Sequence, residues 1–116
     1  MPATILVVED EALILDMVTL ALELEGYAVL RATNGAAPLA LLEGGGIDLL
    51  LTDELMPGLR GLELIAHLRA HPDLAMPVIL MSAIRPGPIP PGVAFLPKPF
   101  DIDRFLALVA GLLAAP

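Results

Sequence analysis

The sequence contains no cysteine, which excludes a disulfide framework and any thiolate-based metal or redox site. It contains one lysine, Lys98, among only six basic residues, against fourteen acidic ones. The resulting formal charge of −8 repels phosphate backbones and anionic lipid at long range, so neither nucleic acid nor a membrane surface is an expected partner. The basic residues, Arg31, Arg60, Arg69, Arg85, Lys98 and Arg104, are scattered and form no basic run with aromatics between them. Apolar residues make up 57% of the chain, yet every long apolar run is interrupted before the roughly eighteen residues that a membrane span requires. The opening stretch MPATILVVEDE has no basic region and turns acidic by residue 9, which does not read as a signal peptide.

What the chain does have is enough length, 116 residues, for one domain over 1–116 with a single buried core. Short apolar runs recur at ILVV (5–8), AVLRA (28–32), IDLLLT (47–52), VILMS (78–82) and VAFL (93–96). Their hydrophobicity is continuous, which predicts strands covered on both faces, as in a parallel sheet flanked by helices. Between them lie helical stretches. EALILDMVTLALELEG sets Leu13, Met17, Leu20 and Leu24 on one stripe and ends at Gly26, a suitable residue just past a helix. Asn34-Gly35 precedes APLALLE, which stops at Gly44-Gly45-Gly46; a third helix runs through GLELIAHLRAH, and a fourth through DIDRFLALVAGLL with Asp101 as N-cap. This alternation predicts an α/β fold with an open, doubly wound five-stranded parallel sheet.

One crossover lacks its helix. Between Ser82 and Val93 lie AIRPGPIPPG, with prolines at 86, 88, 90 and 91 that remove donors and clash with preceding carbonyls. Ten residues of extended chain reach roughly 30 Å, enough to return along a strand of about 17 Å and step to its neighbour. The fourth crossover is therefore expected to be Pro-rich coil.

In doubly wound sheets the ligand site lies beyond the carboxyl ends of the strands. The residues found there are Glu9, Asp10 and Glu11 after the first run, Asp53 and Glu54 after the third, Ser82 at the end of the fourth and Lys98 after the fifth. Two carboxylates 4 Å apart repel by about 4 kcal/mol at an effective dielectric of 20, so such a cluster needs a cation or a proton. Mg2+, a hard oxygen-seeking ion, would satisfy it. Gly44 to Gly46 precede a strand and lack a following Gly-Lys-Ser/Thr, so they read as a loop and not as a phosphate cradle. His67 and His71 have no third metal ligand nearby in sequence and read as a solvated helix face.

The combination of VVEDE, LLLTDELMPGLRGLEL, ILMSA and FLPKPF, in this order and at these strand ends, resembles the receiver domain of two-component response regulators over essentially the whole chain. The resemblance implies a flavodoxin-like strand order 2-1-3-4-5 and a phosphoacceptor that is not an enzyme in the ordinary sense. It implies that Asp53 takes a phosphoryl group from a phosphohistidine of a sensor histidine kinase or histidine phosphotransfer protein. Glu9 and Asp10, with Asp53 and the backbone carbonyl of Leu55, would hold Mg2+. Ser82 would be the switch hydroxyl, Phe95 the switch aromatic and Lys98 the phosphoryl-binding ammonium. Pro57 and Gly58 would shape the turn after the acceptor, and Pro99 would follow a cis bond. The family also implies a cytoplasmic location.

Three departures accompany the resemblance: the missing fourth helix, a Phe without the hydroxyl of Tyr at position 95, and a further carboxylate at Glu54. An aspartyl-phosphate phosphatase is disfavoured, because the position two residues after Asp53, where such enzymes carry a second Asp, is Leu55. A non-phosphorylated interaction module, or a receiver segment excised from a hybrid histidine kinase, are the alternatives. In the last helix almost nothing polar follows Arg104, so residues 101–113 are a possible docking or homodimer surface.

Overall fold

A computed structural model of the chain describes residues 2–34 and 37–114. Gly35 of the expected Asn34-Gly35 turn lies outside them. The elements are β1 (Thr4–Val8), α1 (Ala12–Leu24), β2 (Ala28–Ala32), α2 (Ala37–Glu43), β3 (Leu49–Asp53), α3 (Gly61–Arg69), a 3-10 turn (Pro72–Leu74), β4 (Val78–Ser82), β5 (Val93–Pro97) and α4 (Ile102–Ala114). The five strands form one parallel sheet in the order β2-β1-β3-β4-β5, as the alternation and the resemblance imply. Every residue of β3 and β4 is buried, which is why their sequences are apolar without alternation.

Side chains that alternate across the strands divide the core into two layers. Ile5, Val7, Leu51 and Ile79 pack against Leu15, Val18 and Leu22 of α1 and Phe105 and Val109 of α4. On the other face Leu6, Val8, Leu50 and Leu80 pack against Leu42 of α2 and Leu64, Ile65 and Leu68 of α3. At the end of α1 the amides of Gly26 and Tyr27 donate to the carbonyls of Glu23 and Leu22, the paired bonds that close a helix at a glycine. Asp101 caps α4, its Oδ2 accepting from the Arg104 amide at 3.3 Å.

No regular helix occupies 83–92. Ile89 of this link packs on the second layer beside Val93 and Phe95, so a single apolar side chain fastens the coil where a helix face would otherwise lie.

One expected boundary is corrected. The third strand begins at Leu49 and not at Ile47, because Asp48 is tied sideways: its amide donates to the Thr4 carbonyl at 2.8 Å and its Oδ2 accepts from the Thr4 amide at 2.7 Å. Leu13, Met17, Leu20 and Leu24 do form a row on α1, but it faces away from the sheet, with exposures of 85%, 43%, 59% and 77%. The core-facing side is Leu15, Val18, Thr19 and Leu22, half a turn round at 3.6 residues per turn. The last helix, expected to carry surplus apolar surface, buries Phe105 and Val109, while Leu106, Leu108, Leu112 and Leu113 are only partly buried against the core.

Candidate functional site

The sheet register assembles the polar rim. Val8 of β1 lies beside Thr52 of β3, Asp53 beside Met81 of β4, and Ser82 beside Pro97 of β5. Glu9, Asp53, Ser82 and Lys98 therefore occupy successive strand ends. The Glu9 amide donates to the Ala32 carbonyl at 3.0 Å, which carries the β1 backbone one residue past its strand and holds the Glu9 side chain inside.

Glu9 is fully buried and Asp53 nearly so, whereas Asp10 is exposed. One carboxylate oxygen from each of the three lies within 4.8 Å of the others, and they are the only cluster of this kind among the described residues. His67 and His71 therefore enter no such group. Lys98 Nζ donates to Glu9 Oε1 at 2.6 Å and stands 3.4 Å from Asp53 Oδ1 and 4.0 Å from Glu11 Oε1. The Glu11 amide donates to Glu9 Oε2 at 3.1 Å, and the Glu54 amide to Asp53 Oδ1 at 2.9 Å.

Burial lifts the Glu9 and Asp53 carboxyls above their ordinary values, with Lys98 opposing the rise on both. On Lys98 burial acts downward, yet the Glu9 hydrogen bond and the Asp53 charge outweigh it and the ammonium is held above its ordinary value. One ammonium thus faces three carboxylates, and the donors are oxygen throughout. An oxygen-only set with surplus negative charge and one exposed member suits a hard divalent cation.

The residues expected around Asp53 are placed as follows. Ser82 is buried, its Oγ accepting from the Ile84 amide at 3.2 Å. Phe95 is half-buried against the α2 and α3 layer, with the Arg85 guanidinium 5.2 Å from its ring centre. Leu55 is exposed, Pro57 is exposed, and Gly58 turns the chain at φ +87°. The Lys98-Pro99 peptide is cis.

Two supporting residues were not assigned roles from sequence. Glu54 does not simply add charge beside Asp53: it is buried, and its Oε1 accepts from the Leu62 amide at 2.7 Å. Its charge is spent on the first turn of α3, where free amides favour an anion. Gly61 opens that helix, and a Cβ there would meet the Asp53 carbonyl oxygen at 2.5 Å. A glycine at the first helical position after MPGLR was the available signal. The Arg85 contact with Phe95 had none, since it depends on the path of the coil.

The response regulator receiver domain profile matches residues 5–89. The uncharacterised transcriptional regulatory protein YkoG of Bacillus subtilis is 39% identical over 94% of the chain, which covers 50% of YkoG; the chain spans about half the length, or less, of such curated relatives. Among solved structures, the receiver domain of the hybrid histidine kinase CckA is 36% identical with a TM-score of 0.83, covering 96% of this chain and 99% of that one. The signal receiver domain of a signal transduction histidine kinase from Syntrophus aciditrophicus is 29% identical with a TM-score of 0.86, covering 97% and 90%.

Proposed function

The chain belongs to the response regulator receiver domain family, and from that premise we propose that Asp53 is the phosphoacceptor of a two-component pathway. The observation that carries this reading is the contact of one buried ammonium, Lys98, with both Glu9 and Asp53 at the strand ends. In the transfer an Asp53 carboxylate oxygen attacks the phosphorus of a phosphohistidine on a sensor kinase or phosphotransfer protein. The P–O bond forms, the P–N bond breaks, and the imidazole nitrogen leaves with the electron pair.

Such a reaction needs positioning and charge neutralisation more than covalent help. Glu9, Asp10 and Asp53, with the backbone carbonyl of Leu55, would hold Mg2+, which when bound neutralises charge on the phosphoryl oxygens. The Glu54 amide and Lys98 orient the Asp53 carboxylate from one side. After transfer, the added negative charge and acceptor oxygens attract Lys98 and a donated hydrogen bond from Ser82. A turn of Ser82 toward the phosphoryl group would shift its Oγ, which accepts from the Ile84 amide at the start of the link, and Phe95 at the adjoining strand is the side chain placed to respond.

The row Leu13, Met17, Leu20 and Leu24 is the face best suited to dock a helical phosphodonor. It runs along α1 from the rim, and Met17 and Ile14 share a groove of about 400 Å³ with Lys98, Pro99 and Phe100. Docking or homodimerisation through residues 101–113 has less support, because the large apolar side chains of α4 are at least partly covered. Among the described residues no helix is long and apolar enough to cross a membrane, and a cytoplasmic location fits the pathway. The likeness to receiver domains of histidine kinases supports a second reading, in which this chain is the receiver segment of a hybrid kinase.

Incubation with a small-molecule phosphodonor, with and without Mg2+, tests the assignment. A single acid-labile phosphoryl adduct on the native chain, dependent on Mg2+ and absent from Asp53→Asn, is the expected intact-mass result. An equal adduct on Asp53→Asn, or none on the native chain, overturns it.

A further inference from the structure

The two outer strands of the sheet, β2 and β5, differ in what their backbones offer to a further strand. At β5 the Lys98 amide donates to the Ser82 carbonyl at 3.0 Å, so Val93, Phe95 and Pro97 are the residues whose backbone faces outward. The Val93 amide is taken by the Pro90 carbonyl at 3.2 Å, and proline has no amide to offer. That edge is closed to a ladder. At β2 the Ala28 amide donates to the Ala3 carbonyl at 2.9 Å, and the Ala32 carbonyl accepts from the Glu9 amide at 3.0 Å. Ala28, Leu30 and Ala32 therefore face β1, while Val29 and Arg31 turn both amide and carbonyl outward. No hydrogen bond among the described residues uses those backbone groups.

The side chains do little to guard this edge. Strands exposed in this way are usually blunted by a proline, a lysine or an unpaired charge. Here β2 reads AVLRA, and its one charge, Arg31, is turned to α1 and paired with Asp16. Leu30 lies beside Leu6 on the α2 side of the sheet, yet remains 40% exposed.

We propose that β2 pairs antiparallel with β2 of a second copy of this chain, about a twofold axis at Leu30. In that register Val29 of each copy lies opposite Arg31 of the other, and their outward amides and carbonyls satisfy one another. Leu30 meets Leu30 of the second copy at a pair without hydrogen bonds, where side chains approach most closely. Ala28 and Ala32, on the same face, leave room for both leucines. The neighbouring registers are poorer. A twofold at Arg31 sets like charges opposite each other, and one at Val29 calls on the Tyr27 amide, which is already given to the Leu22 carbonyl. So short a ladder predicts a weak, reversible dimer. The inference stands independently of whether Asp53 is phosphorylated.

Sedimentation velocity of the full chain over a range of concentrations tests it. The wild type is expected to dimerise reversibly, and more strongly as salt screens the charge of −8 on each copy. Leu30→Lys and Leu30→Glu should each weaken self-association by at least about tenfold, since each sets like charges across the axis. An equimolar mixture of the two should associate again, because only a twofold at residue 30 places the lysine against the glutamate. Circular dichroism and melting establish that both variants fold. A wild type that stays monomeric at its highest soluble concentration overturns the proposal, as does self-association that both variants retain. A mixture that stays monomeric overturns the register, and an equal loss in Leu24→Lys would give the interface to the outward row of α1 instead.

Discussion

Lys98 Nζ donates to Glu9 Oε1 across 2.6 Å, and Glu9 is wholly buried. Lys98 is the one ammonium side chain in the sequence, and it is the cation paired with this buried carboxylate. Removing one member of a buried pair leaves the other uncompensated, at a cost of about 3–5 kcal/mol, whereas removing both costs far less. Lys98→Ala should therefore lower the urea midpoint at neutral pH, and Glu9→Gln in the same chain should recover most of the loss. In the single variant the penalty shrinks as the pH falls and Glu9 takes up a proton. Urea titrations of the two variants across pH measure this; equal stability of Lys98→Ala and wild type would refute the structural role.

The carboxyls have the opposite consequence for Asp53. Burial raises the Glu9 and Asp53 pKa values in the folded chain, so the folded state binds their protons more tightly than the unfolded state does. Their contribution to stability is complete below the unfolded carboxylate range, near pH 4, and is lost as the pH rises through the raised folded values. At neutral pH the Asp53 carboxylate is thus a burden on the fold. Asp53→Asn, in the presence of a chelator, should raise the melting temperature at pH 7 by about 3 °C or more, with a smaller gain at pH 4. A gain that is the same at both pH values would show that charge is not its cause.

Much of this site was legible because its parts sit at strand ends. Five continuous apolar runs marked the strands, and the residues following them supplied Glu9, Asp53 and Lys98. Prolines at 86, 88, 90 and 91 excluded a helix before β5. The orientation of α1 was not legible, because the helix is apolar on two opposite sides: Leu15, Val18 and Leu22 satisfy the same periodicity as Leu13, Met17, Leu20 and Leu24. A period of 3.6 identifies a stripe without saying which stripe meets the sheet. The direction of Glu54 was hidden for a related reason, since a sequence records a carboxylate beside Asp53 but not the amide of Leu62 that it turns toward.

Gly61 provides a separate test of how the end of β3 is positioned. A Cβ at this residue would lie 2.5 Å from the Asp53 carbonyl oxygen, 2.9 Å from Leu80 Cδ1 and 3.1 Å from Glu54 Cα. Two of these three atoms are backbone, so relief requires α3 to move away from the end of β3. Gly61→Ala should cost about 1–3 kcal/mol as an overpacked substitution, and the displaced carboxylate should accept phosphoryl from a small-molecule donor more slowly. Unfolding in urea and the rate of adduct formation read the two effects; an unaltered rate would mean that the helix contact does not position Asp53.

The outward row on α1 separates docking from chemistry. Leu20 is 59% exposed and Leu24 is 77% exposed, and both stand away from the acid cluster in the chain. Surface substitutions of this kind usually change stability by no more than about 0.5 kcal/mol, while Leu22→Ala, on the buried side of the same helix, should cost about 2–5 kcal/mol. Leu20→Lys and Leu24→Lys should therefore melt close to the wild type and accept phosphoryl from a small-molecule donor at the wild-type rate. Transfer from a cognate phosphohistidine protein should slow by tenfold or more in the double variant, since about 1.4 kcal/mol of lost apolar contact corresponds to that factor. Single-turnover transfer at increasing donor concentration decides the matter: a docking role requires the loss to diminish as the donor approaches saturation. A loss that persists at saturation would place the defect in the chemical step instead, and unchanged transfer would remove α1 as the docking face.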